Sequence, residues 1–306
     1  MSNIIFMGTP EFAVPALQAL HAEFGVSTVV TIPDKPRGRG LTVSPSAVKQ
    51  AALDLGITDI LQPEKLKDPS FAAEIEARSP DVICVIAFKI LPRAVFSLSS
   101  NGTFNVHASL LPRFRGAAPI NHAIIEGDSV TGVTSFLLDD VVDTGTILLQ
   151  HSCPVPDGTT AGELYAMLMP MAAECARETT RGLLAGTLHR QPQDDSLATP
   201  APKVFREHAS INWQQPVHRV RNFIHGYSPS PCAWTTWNGD VLKVYRATLS
   251  DLQLPAGSWR ITETAFIVAC SDGSLSLDEL QLPGKRRMTI AEMLPGYRGP
   301  REGVFA

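Results

Sequence analysis

Residues 3–8, NIIFMG, and residues 81–87, DVICVIA, are near-continuous apolar runs of strand length. A strand with one wet face alternates apolar and polar side chains. A continuous run needs cover on both faces, which a parallel sheet flanked by helices provides. The intervening segments fit that demand. Thr9-Pro10-Glu11 predicts a helix to about residue 22, with Thr9 as N-cap, Pro10 at the first helical position and an acid in the first turn. Strands are predicted over 26–32, 104–106, 131–138 and 146–155, and helices over 45–55, 69–78, 117–126 and 161–184. Strands alternating with helical segments imply βαβ units.

The expected fold class is therefore α/β: a Rossmann-like, mostly parallel sheet over residues 1–189. With 306 residues, 44% hydrophobic and 18% charged, the chain is long enough for a second domain. Residues 190–206 are polar and proline-rich and read as a linker. Beyond them the pattern changes. Short alternating segments over 241–245, 257–261, 265–270 and 274–280 are separated by turn signals such as Asn238-Gly239-Asp240. They follow a predicted helix over 217–224 and suggest a small OB-like β-barrel over 207–306. No apolar run approaches the roughly 20 residues that span a bilayer, and the first residues lack the basic region of a signal peptide. Cys84, Cys153, Cys175, Cys232 and Cys270 are scattered, with no C-x-x-C pair. Reduced thiols, a cytoplasmic location and no metal are the corresponding expectations. Nothing in the sequence demands more than a monomer.

The chemistry concentrates in residues 103–120, TFNVHASLLPRFRGAAPI. Asn105 and His107 are two residues apart on a predicted strand, so their side chains share a face and Val106 takes the other. An amide donor beside an imidazole suits acyl transfer, one group holding a developing oxyanion and the other moving a proton. An N-x-H taken alone is more often a polar strand end. Its place at the carboxyl end of a parallel strand, where open α/β sheets bind ligands, favours the chemical reading. Thirty-six residues after His107 stands Asp143, in DDVVDTG. A D-x-G turn is commonly structural, yet a carboxylate there is also able to orient an imidazole. The first turn, MGTPEFAVP, has one glycine where a dinucleotide site has three, which disfavours a nicotinamide enzyme.

The string N-x-H-x-SLLP-x-x-x-G, with D-T-G downstream and GTPEFA at the start, closely resembles the folate-dependent formyltransferases. The resemblance implies a catalytic trio of Asn105, His107 and Asp143. It implies a loop of Ser109, Leu110, Leu111 and Pro112 against the folate, with 10-formyltetrahydrofolate as formyl donor. Phe88–Pro92 would form the opposite wall. Lys89 stands there where the family usually has glycine, which restricts φ > 0 at that position.

The acceptor is read from the surroundings. Lys35, Arg37 and Arg39 lie within five residues in TIPDKPRGRGLTVSPSAVK. Such a run is either a solvated loop or a basic loop that orders on phosphates. It resembles the inserted loop of the tRNA-acting branch of the family, which implies initiator methionyl-tRNA as partner and 207–306 as a tRNA-binding domain. That domain has ten basic and nine acidic residues, so its mean charge gives little help. The cluster Lys285-Arg286-Arg287, with Lys243 and Arg246, is either a phosphate contact or a charged rim. An amino sugar nucleotide is the alternative acceptor, since enzymes with that substrate share the N-x-H-x-SLLP core. A shorter single-domain purine-pathway transformylase and a non-catalytic RNA-binding protein fit less well.

Overall fold

The computed structural model describes residues 2–37 and 42–305. These divide into two compact units, one of residues 1–116, 131–153 and 165–201, the other of 117–130, 154–164 and 202–306.

The first unit is built on β1 (Ile4–Gly8), β2 (Val26–Val30), a short ribbon of β3 (Lys35–Arg37) and β4 (Thr42–Ser44), β5 (Ile60–Leu61), β6 (Val82–Ile86), β7 (Gly102–His107), β8 (Val130–Leu137) and β9 (Ile147–Pro154). The main sheet has the order β5-β2-β1-β6-β7-β8-β9. The pairs from β5 to β7 are parallel and β7–β8 is antiparallel. Every residue of β1 and β6 is buried, as continuous apolar runs require. Strand order reverses on either side of β1, and β1, β6 and β7 end on the same edge at Gly8, Ile86 and His107. Ligands collect at such an edge.

Helices α1 (Val14–Phe24), α2 (Ala47–Asp54), α3 (Pro69–Glu76) and α4 (Arg93–Phe96) connect these strands. The first helix begins later than Thr9-Pro10-Glu11 suggested. Pro10 caps a single 3₁₀ turn over Glu11–Ala13, and α1 starts behind it with Pro15 in its first turn. A second proline that lacks an N–H is accommodated there, so the sequence held two start signals and the later one begins the α-helix. Ser46 and Asp68 cap α2 and α3 through their side chains. The ribbon β3–β4, read as loop from sequence, pairs Lys35 with Ser44 and Arg37 with Thr42.

Residues 190–201 are not a free connector. Gln191 exchanges two backbone hydrogen bonds with Ile147, and Thr199 and Ala201 bond the backbone of Arg115.

In the second unit, α5 (Pro119–Glu126) and α7 (Val217–Gly226) pack together, and the first residues of α6 (Ala161–Ala185) belong here too. Strands β10 (Ala233–Trp237), β11 (Asp240–Ser250), β12 (Ser258–Ile261), β13 (Phe266–Ala269), β14 (Ser274–Gln281), β15 (Met288–Thr289) and β16 (Glu302–Val304) follow, with α8 (Ile290–Met293) between the last two. They form an antiparallel sheet in the order β10-β11-β14-β13-β12-β16, with β15 beside β14. This curled half-barrel is consistent with an OB-like fold. Trp237, Trp259 and Phe266 contact one another in its core.

Candidate active site

Strand β7 places Asn105 and His107 as the period of two demands. Asn105 is half-buried beside Val85 of β6, and His107 at the strand end is 6% exposed. The two nitrogens of the His107 ring meet different groups. Nε2 is 2.8 Å from the carbonyl oxygen of Phe114, which only accepts, so Nε2 carries a hydrogen. Nδ1 lies 3.8 Å from Oδ2 of Asp143, an ion-pair distance and too long for a hydrogen bond. The imidazole is thus oriented by Phe114, a partner that no sequence motif announced, while the carboxylate stands across from the other nitrogen.

Asp143 is held from several directions. Its Oδ2 accepts from the Gly116 N–H at 2.8 Å. Its φ is +58°, a left-handed value that costs a non-glycine residue about 1–3 kcal/mol. Phe114 is also left-handed, at φ +60°. Gly145 follows two residues after Asp143 because a Cβ there would stand 1.7 Å from the Leu137 carbonyl oxygen. Gln193 completes the support: its Nε2 donates to the carbonyls of Asp143 and Gly145, at 2.9 and 2.8 Å.

The SLLP loop is fastened to the sheet rather than left open. Thr134 of β8 donates its hydroxyl to the Ser109 carbonyl at 2.7 Å and accepts from the Leu111 N–H at 3.0 Å. Nε2 of Gln150 in β9 donates to the Leu111 carbonyl and to Thr134 Oγ1. The Ser109 hydroxyl donates to the Arg113 carbonyl. Leu111, 3% exposed, packs with Phe136 and Ile147, while Leu110 and Pro112 are half-buried. The polar groups of Ser109 and Leu111 named here are engaged within the protein, so this loop is pre-shaped. On the expected opposite wall, Ile90 is exposed, and the left-handed residue is Ala87 at φ +49°, not Lys89. Val141 and Val142, beside Asp143, are also exposed. Two β-branched residues between aspartates were the available sequence signal for this second apolar surface.

Of the expected basic residues, Lys35 and Arg37 belong to a different part of the first unit. Lys35 is exposed on β3, Arg37 ends that strand, and Arg39 lies outside the described residues. The ribbon leaves the sheet after β2, three strand positions from β7, or about 14 Å at ordinary spacing. Its root is fixed by Lys49, which donates to Asp34 at 2.6 Å and to Gln62 at 2.8 Å. The Lys49 ammonium beside Asp34 holds that carboxyl below its ordinary range. In the second unit Arg286 pairs with Glu292, Arg287 with Glu279 and Arg246 with Glu163. Three of the five cations of the expected basic cluster are therefore compensated, which favours a charged rim.

All five cysteines are free. Burial pushes the thiols of Cys175 and Cys232 up to about 11 and that of Cys270 up to about 12, away from thiolate chemistry. Among the described residues no group of three or more His, Cys, Asp or Glu is placed to hold a metal ion. No helix among them is long and apolar enough to cross a membrane.

Residues 2–178 match the formyl transferase family, and residues 203–298 match the formyl transferase C-terminal domain. The chain is 45% identical to the methionyl-tRNA formyltransferase of Chlorobium chlorochromatii, over 99% of both chains. It is 43% identical to that of Parabacteroides distasonis, over 97% of this chain and 96% of the relative. Similar solved structures include an N-formyltransferase from Helicobacter canadensis in complex with folinic acid and dTDP-3-aminofucose. That match has a TM-score of 0.70 and 17% identity, covering 90% of this chain and 99% of the other. HypX from Aquifex aeolicus in complex with tetrahydrofolic acid matches with a TM-score of 0.64 and 17% identity, over 95% of this chain and 46% of the other. The structural matches share the fold, and the sequence matches carry the identity: the chain belongs to the formyltransferase family, among the methionyl-tRNA formyltransferases.

Proposed function

We propose that this protein transfers the formyl group of 10-formyltetrahydrofolate to the α-amino group of initiator methionyl-tRNA, giving N-formylmethionyl-tRNA. The observation that carries the reading is the full-length likeness to methionyl-tRNA formyltransferases at 43–45% identity, with a His107–Asp143 pair at the ligand edge of the sheet. The N-formyltransferase in complex with dTDP-3-aminofucose matches at 17% identity, a likeness of fold.

The amine attacks the formyl carbon, and the carbonyl oxygen becomes an oxyanion. The Asn105 amide donates to that oxyanion. Nδ1 is the ring nitrogen of His107 that Phe114 leaves available. It moves the proton: when protonated it donates to the oxyanion, and when neutral it accepts from the attacking amine, directly or through water. Asp143 balances the imidazolium charge. Collapse of the tetrahedral species breaks the bond to the folate nitrogen, which takes up the proton, and releases the formamide. An α-amino group titrates near ~8, so a modest base suffices and no covalent enzyme intermediate is required. Ser109, Leu110, Leu111 and Pro112 would shape one side of the folate site, with the exposed Ile90, Val141 and Val142 offering apolar surface for its flat rings. Lys35, Arg37 and Arg39 would meet the tRNA backbone.

We assign catalysis to residues 1–189, tRNA contact to 207–306 and the connection to 190–206. The presence of two compact units supports a two-domain division, although the first of them extends to Ala201. The chemistry uses no metal, and five free thiols support a cytoplasmic enzyme, working as a monomer. Labelled formyl transfer to charged initiator tRNA tests the function. Formylation of the initiator in strong preference to elongator methionyl-tRNA supports it, and no transfer to either sinks it.

A further inference from the structure

We propose that Gln193 is a positioning residue for the catalytic pair, and that residues 191–201 act as a brace which fixes the distance between His107 and Asp143. The proposal rests on the site reading above.

Both residues that bear on the His107 ring have left-handed backbones, Phe114 through its carbonyl and Asp143 through its carboxylate. Such conformations persist only where surrounding contacts over-determine them. One extended segment supplies contacts to both. Gln191 is pinned to Ile147 by two backbone bonds, which sets Gln193 against the loop that precedes β9. There each hydrogen of its amide group has a carbonyl, one on Asp143 and one on Gly145. Six residues later the Thr199 hydroxyl accepts from the Phe114 N–H at 2.9 Å, and Thr199 and Ala201 pair with Arg115.

The orientation of the Gln193 amide follows from its neighbours. Arg115 donates to Oε1 from Nε at 3.0 Å and from Nη2 at 2.7 Å, and a guanidinium only donates. The oxygen must therefore face Arg115 and the nitrogen must face the two carbonyls. Arg115 thus selects the rotamer, Gln193 ties the Asp143 loop, and Thr199 ties Phe114. Residues 191–201 lie between the two family matches, outside both. A polar, proline-rich composition gave no hint of this task.

The test uses the whole enzyme with Gln193→Glu, which keeps the acceptor for Arg115 and removes both donors to the loop. Gln193→Met, of similar length with no polar group, is the second variant. The expected result is a kcat about 10- to 100-fold lower, with KM for both substrates within about threefold and the melting temperature nearly unchanged. In an Asp143→Ala background the same substitutions cause no further loss, because the group being positioned is gone. A folded Gln193→Glu or Gln193→Met variant with unchanged kcat overturns the proposal. So do losses that multiply in the Asp143→Ala background, or failure of both variants to fold. Full activity of Asp143→Ala alone would instead refute the site reading.

Discussion

At His107 the two ring nitrogens have unequal duties. Nε2 is committed to the Phe114 carbonyl, and Nδ1 faces a carboxylate 3.8 Å away. Replacing His107 by Ala removes the proposed proton carrier, and steady-state assays are expected to show kcat reduced about 100-fold or more. Folate binding by the folded variant, followed by fluorescence titration, should change little, since the SLLP loop is held by Thr134 and Gln150. Thr134 belongs to a different kind of prediction. Its hydroxyl serves the Ser109 carbonyl, the Leu111 N–H and the Gln150 amide, all within the fold. Thr134→Val leaves those groups short of a partner. It should cost about 1–3 kcal/mol in urea unfolding and raise the KM for the folate. Unchanged stability together with unchanged KM would mean that the loop keeps its shape without this hydroxyl.

Among the elements, α7 and β11 enclose a buried titratable group. His225 is 2% exposed, and its Nε2 accepts from the Ala247 N–H. Burial, with the Arg246 and Arg221 guanidinium groups nearby, lowers its pKa to about 4. Below the ordinary His value near ~6.5 the unfolded chain binds a proton that the folded chain refuses. The stability due to neutral His225 is thus complete above about pH 6.5 and drains away as pH falls toward 4, by about 3 kcal/mol in all. All four tryptophans lie in this second unit, so their fluorescence reports its unfolding. Between pH 7 and pH 4.5 the denaturation midpoint should fall further for the parent protein than for His225→Gln, which keeps an acceptor for Ala247. Equal falls would show that His225 is not the group responsible.

The elements differ in how far they could be read from residues alone. Apolar runs at 3–8 and 81–87 required burial on both faces, and β1 and β6 are buried throughout. Asn105 and His107 could be placed on one face because a strand's period leaves no choice. What escaped was anything whose partner is distant in sequence. Phe114 holds His107 through a backbone carbonyl, which every residue type possesses. Gln193 reaches Asp143 from fifty residues away, inside a stretch whose composition suggests a linker. The ribbon β3–β4 escaped for another reason: prolines and glycines signal turns, and short pairings between them leave little pattern.

For the whole molecule, charge separates the possible acceptors. The net charge is −4, and three arginines of the expected basic cluster in the second unit are already paired with glutamates. Long-range attraction for a polyanion would then rest on local features, and the ribbon carrying Lys35 and Arg37 is the one to test. Lys35→Glu with Arg37→Glu should raise the KM for charged tRNA and flatten its dependence on salt by about one unit of log–log slope per lost phosphate contact. The KM for the folate should not move. If the salt slope is unchanged, the ribbon is a solvated loop and the tRNA is held elsewhere.

The acceptor is what divides a tRNA enzyme from a sugar nucleotide enzyme, and a side-by-side assay separates the two. A single preparation is given 10-formyltetrahydrofolate with either initiator methionyl-tRNA or a dTDP-linked amino sugar, and kcat/KM is determined for each. The expected result is efficient turnover of the tRNA and none detectable with the sugar nucleotide. Turnover of the amino sugar with the charged tRNA left unformylated would mean that the acceptor is a sugar nucleotide and not a tRNA.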